Sequence, residues 1–201
     1  MSIDPRLTAA LLQFGTDSTG HSGRTLLKHL QGTHDRLSVW GNVADICNAG
    51  LFHSIYGTHY FKVQTVAMSR RAEIRDLIGP DAEYFAYLFC VCNRKDFQNA
   101  KEGADAVIRD RAVGNDITVP EAMVAQLLEI EVANILDQVP PWSEADSGER
   151  DYMRAFFEMR RRARVDRRTQ LIARLYSRPM RTWDVRDPTI STPRRHFALL
   201  P

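Results

Sequence analysis

Between Thr25 and Trp40, the residues Leu26, Leu30, Thr33, Leu37 and Trp40 recur in steps of four and three, and Gly41 follows the last of them. This period returns each side chain to one face of a 3.6-residue helix, whereas in a strand it would scatter them over both faces. The stretch is therefore predicted as an amphipathic helix stopped by glycine. The same period runs through every strongly patterned segment. Asp4-Pro5 supplies an N-cap and a first-turn proline ahead of Leu7, Leu11 and Phe14. From Val43 to Tyr56, Ile46, Ala49, Gly50 and His53 share one side, and the small Ala49-Gly50 pair lets a neighbouring backbone come close. Ser69 caps a helix through Ile78, and Gly79-Pro80 ends it and opens "PDAEYFAYLFCVCNR". A last strong helix covers 120–139 and stops at Pro140-Pro141. The expectation is an all-α fold of six or seven helices.

Residues 58–68 have no period and read as a loop. Residues 95–118 are polar, carry weak strand character in "DAVIRD" and "DITV", and are expected to be a hairpin or a flap inserted in a helical domain spanning 1–142. The remainder, 143–201, reads as a basic helix at about 151–176 followed by a proline-punctuated tail at 179–201. From Arg154 to Arg181 ten arginines face Glu158 and Asp166, a balance of 10 − 2 = +8. That face is expected to be solvated, to meet a second subunit in a homodimer, or to gather anions. No zinc-finger, RRM or KH pattern accompanies it, so nucleic acid is disfavoured. No apolar run approaches the roughly 20 residues of a membrane span, and "MSIDPRLTAALLQF" lacks the layout of a secretory leader, so a cytoplasmic location is expected. Cys47, Cys90 and Cys92 fit no disulfide or redox spacing and are expected to be reduced core residues.

Chemistry is expected where two helices joined at Gly41-Asn42 fold back on each other. His29 lies midway along the first and His53 near the end of the second, and antiparallel packing could bring both imidazoles to one pocket. His34 is about 140° further around the helix than His29 and is expected at the surface. Tyr56 and Thr58 would offer hydroxyls at the rim, His59 could act as a proton carrier, and Arg94 could hold a substrate carboxylate or phosphate or merely face a helix end. Glu131 and Asn134, three residues apart on one helix face, could complete a metal site or bind substrate. Glu131 could equally pair with an arginine.

"HLQGTHDRLSVWG", "CNAGLFHSIYGT" and "LIGPDAEYFAYLFCVCNR" resemble the HD-domain superfamily, and more closely a bacterial offshoot with the signature HLxGT…AGLFHSIYGT. The likeness covers about residues 20–140. It implies an HD-domain-like helical bundle in which His29 and His53 take the metal-binding histidine positions and Glu131 that of the distant acidic ligand. Here Ser54 stands where such proteins carry the aspartate of the His-Asp pair. Losing that bridging carboxylate disfavours a diiron oxygenase, and "IYGTH" in place of an acidic pair disfavours an alarmone hydrolase. What the resemblance leaves is a small-molecule enzyme using acid–base chemistry or at most one divalent metal (zinc, manganese or iron) on a polar substrate that could be anionic or carry phosphate, with Ser54 and Thr58 among the substrate contacts. Lyase, isomerase and hydrolase chemistry stay open, as does a degenerate HD domain that binds a ligand or partner without catalysis.

Overall fold

Asp4 accepts the backbone N–H of Arg6 at 2.8 Å and Pro5 fills the first turn, so α1 runs Pro5–Gln13 and buries Leu7 and Leu11. A two-residue hairpin then pairs β1 (Gly20–His21) with β2 (Arg24–Thr25), turning through Ser22 and Gly23, both at positive φ. Thr25 also caps α2 (Leu26–Val39), whose buried residues include all the predicted stripe positions of the helix. Trp40 closes the stripe at 6% exposure. After α3 (Ala44–Phe52) and a loop come a 3-10 turn at Met68–Arg70, α4 (Arg71–Ile78) and α5 (Pro80–Val91), the last two hinged at Gly79 with φ 91°. The chain continues through α6 (Arg94–Gln98), the antiparallel strands β3 (Ala106–Arg109) and β4 (Asp116–Val119), and α7 (Glu121–Gln138).

This computed structural model describes residues 1–98, 100–101 and 104–138. The predicted basic helix 151–176, the tail 179–201 and the rest of the 143–201 segment lie outside the described residues. Residues 1–138 pack as one unit that is predominantly helical, as the periodicity predicts. Among the described residues the only sheets are the two hairpins, and no helix is long and apolar enough to cross a membrane.

Three departures have local causes. The helix predicted from Val43 to Tyr56 ends at Phe52, where the His53 imidazole turns back onto the Gly50 carbonyl and residues 53–56 form a turn. The 95–118 segment carries the expected hairpin, β3 and β4, and its start is taken up by the unpredicted α6. Ala106 and Ile108 face inward, and Tyr87 on α5 donates its hydroxyl to Asp110 just past β3, pinning the hairpin to the bundle. His34, expected at the surface, is 1% exposed and meets Asp35 at 3.2 Å. The three cysteines are free and buried.

α2 packs against both α3 and α7, and α3 also meets α7 and α5. Close approach is what these contacts need, and glycine supplies it twice. A Cβ on Gly50 would sit 2.3 Å from Leu37 Cδ1, and one on Gly32 would sit 2.0 Å from the Asp137 carboxylate. Gly32→Ala is therefore expected to cost about 1–3 kcal/mol by overpacking, read as a lower denaturation midpoint. Gly20→Ala, where a Cβ meets nothing within 4 Å, should cost much less. Equal losses in both variants would contradict the packing described.

Candidate functional site

The site lies where α2, the end of α3 and α7 meet. His29 and His53 are both 0% exposed, their ring centroids are 5.0 Å apart, and their Nε2 atoms are 3.1 Å apart. α7 brings Asn134 between them, with its Oδ1 3.0 Å from His29 Nε2 and 3.1 Å from His53 Nε2. Three polar atoms thus form a nearly equilateral triangle.

The neighbours decide which of these atoms carries hydrogen. His53 Nδ1 faces the Gly50 carbonyl at 2.6 Å, and a carbonyl only accepts, so Nδ1 holds the proton and Nε2 presents a lone pair. His29 Nδ1 faces Asp137 Oδ2 at 2.8 Å, between Arg24 and Arg36, and the same reasoning bares its Nε2. Asn134 donates its Nδ2 to Glu131 Oε2 at 3.1 Å, which turns its carbonyl oxygen inward, and Gln138 donates to that oxygen at 3.0 Å. The triangle therefore joins three acceptors. A proton on either imidazole would relieve it only by creating a buried charge. Burial, the largest influence, pushes His53 down to about 3 and His29 well below the ordinary histidine value.

Around this centre, Arg94 donates Nε to Glu131 Oε2 at 3.1 Å and lies 3.5 Å over the Phe89 ring. Phe89 meets the His53 ring edge-on at 5.1 Å, and Cys90 Sγ donates to the His53 carbonyl at 3.1 Å. Glu131, Asn134 and Asp137 follow one another at three-residue intervals on α7.

Of the residues singled out in the sequence, the structure brings together His29, His53 and Asn134, with Glu131 one shell out. Glu131 is not placed as a ligand, since its Oε2 receives both Arg94 and Asn134. Among the described residues no three His, Cys, Asp or Glu side chains group to hold a metal. Arg94 is 3% exposed and engaged by Glu131, so it is not a substrate anchor; it takes the other expected place, facing a helix end, where it donates to the Phe89 carbonyl in the last turn of α5. Tyr56 donates to Glu83 at 3.1 Å, joining the pair that this buried carboxylate makes with the half-buried Arg71 rather than a pocket rim. Thr58 is 4% exposed and spends its Oγ1 on the N–H groups of Tyr60 and Phe61. His59 stacks edge-on against Tyr60. Ser54 is buried and contributes no atom to the triangle.

Two site residues escaped the sequence reading. Asp137 was visible as the third member of an E-x-x-N-x-x-D spacing. His21, whose ring centroid lies 4.4 Å from that of His29, sits in a two-residue hairpin with no periodic signal.

Residues 10–94 match the family model of DUF6817, a domain of unknown function. The match takes in His21, His29 and His53 and stops before α7. No curated protein and no solved structure matches the chain.

Proposed function

We propose that residues 1–138 are an HD-like helical domain whose His29–His53–Asn134 centre takes one divalent cation and serves a small-molecule reaction. The observation that carries this reading is the convergence of three acceptor atoms at separations of 3.0–3.1 Å. Donors bonded at about 2.1 Å to one ion stand about 3.0 Å apart in octahedral and about 3.4 Å apart in tetrahedral geometry, so the triangle has the edge of a shared coordination face. Two imidazoles and an amide oxygen suit zinc, iron or manganese. Such an ion supplies Lewis acidity and acidifies bound water. Asp137 holds the His29 tautomer, Gly50 that of His53, and Glu131 the direction of the Asn134 amide.

The test is metal content. The full chain dialysed against zinc or iron should retain one ion, and His53→Gln should retain none. Equal retention by both chains would overturn the reading. The alternative, a degenerate HD domain that binds without turnover, draws on the complete burial of both histidines and predicts retention without any activity.

The centre is rebuilt around neutral donors, so restoring a carboxylate next to it should not help. Ser54→Asp buries a charge at a position 3% exposed and is expected to lower stability by about 2–4 kcal/mol, with no recovery on adding metal. A fully stable variant with tighter metal binding would contradict this.

A further inference from the structure

Charge is what the centre lacks. Asp137 is shared by His29, Arg24 and Arg36, and Glu131 by Arg94 and Asn134. The donor set itself is neutral, and both carboxylates beside it are already engaged by arginines. A cation held there keeps its whole charge in a buried place, where uncompensated charge is costly. Compensation then has to arrive with the ligand.

One open cavity touches this region. It has a volume of about 560 Å³ and is lined by residues 20–25 together with Lys28, with no acidic side chain among them. Its wall includes His21, which stacks on His29, and Arg24, which reaches Asp137. The hairpin pairs His21 directly with Arg24, and cross-strand partners project to the same face. Ser22 donates to Gln138 at 2.9 Å, and Gln138 donates to Asn134, so the turn is tied to the centre through α7. His21 Nε2 is buried without a well-aligned hydrogen-bond partner, although Gln138 lies within reach of the ring. Arg24 spends Nη2 on Asp137, yet a guanidinium has five N–H donors and this side chain is 31% exposed. Lys28 is exposed one turn into α2. The first backbone N–H groups of α2 already bond Thr19, Thr16 and Thr25, so recognition falls on side chains.

We infer that the ligand of this centre is a small oxyanion, a phosphate or carboxylate compound, that enters by the cavity at the β1–β2 turn and is recognised by His21, Arg24 and Lys28. This rests on the proposed centre but can fail separately from it. Inorganic phosphate and acetate are titrated into the full chain while the His21 imidazole signals, assigned with His21→Phe, are followed by NMR. The metal content of the same samples is measured in parallel. A local readout is needed because the arginines of 154–181 also attract anions. Phosphate, acetate or both should shift the His21 signals saturably, and whichever acts identifies the anion class. Lys28→Glu should weaken that response about tenfold or more and leave metal content unchanged. His21 signals that move with neither anion, or a response untouched by Lys28→Glu, would overturn the inference even if metal is retained. A full anion response in a chain that takes up no metal would instead overturn the cation reading.

Discussion

Below pH 6.5 the metal-free chain is expected to lose stability, at about 1.4 kcal/mol per pH unit from His53 alone, with the buried His29 adding to the loss in the same direction. The sign follows from the direction of the shifts. Burial holds His53 at about 3 and His29 well below 6.5 in the folded chain, whereas both titrate near 6.5 once unfolded. In the window between, the unfolded state binds more protons, so falling pH favours unfolding; above 6.5 the two states bind equally and the effect vanishes. By pH 4 the loss from His53 alone reaches about 3 kcal/mol, a large part of the whole stability of an ordinary domain, about 5–15 kcal/mol. Denaturant midpoints measured from pH 7.5 to 4 read this directly. A flat profile between pH 6.5 and 5 would show that the histidines are not buried in neutral form.

Arg94→Met is expected to cost about 3–5 kcal/mol, the range for breaking a buried ion pair from one side. Arg94 is 3% and Glu131 1% exposed at the side chain, so the variant leaves a carboxylate in the interior without its guanidinium. The double variant Arg94→Met, Glu131→Leu should recover much of that loss, since an apolar pair avoids the desolvation of both charges. It should not recover metal retention, because Glu131 is the group that turns the Asn134 carbonyl inward. A single variant that loses under about 1 kcal/mol would contradict the pairing.

The helical fold was legible because burial imposes a period. Leu26, Leu30, Thr33, Leu37 and Trp40 must share a face to leave water together, and the chain writes that necessity openly. His29 and His53 were legible for a related reason: each is a polar residue among apolar neighbours, one midway along α2 and one just past the end of α3, at depths that antiparallel packing brings together. The substrate-anchor reading of Arg94 misled, because an arginine after an apolar run looks the same whether it points outward to a ligand or inward to Glu131, while its helix-end alternative holds at the Phe89 carbonyl. Tyr56 misled likewise, since its hydroxyl has a partner on α5 that no local spacing announces. His21 stayed hidden because two-residue strands carry no period. Asp137 needed the tertiary fact that Gly32 clears space for its carboxylate against α2.

X-ray absorption at the zinc edge of the stoichiometrically loaded chain tests the centre most directly. The account predicts one ion per chain with nitrogen and oxygen neighbours at about 2.0–2.2 Å, outer-shell scattering from two imidazoles and none from sulfur. Under the same loading, neither His29→Ala nor His53→Ala should hold the ion. Sulfur neighbours from Cys90 or Cys92, an ion held by either variant, or failure of the chain to take up one ion would contradict it.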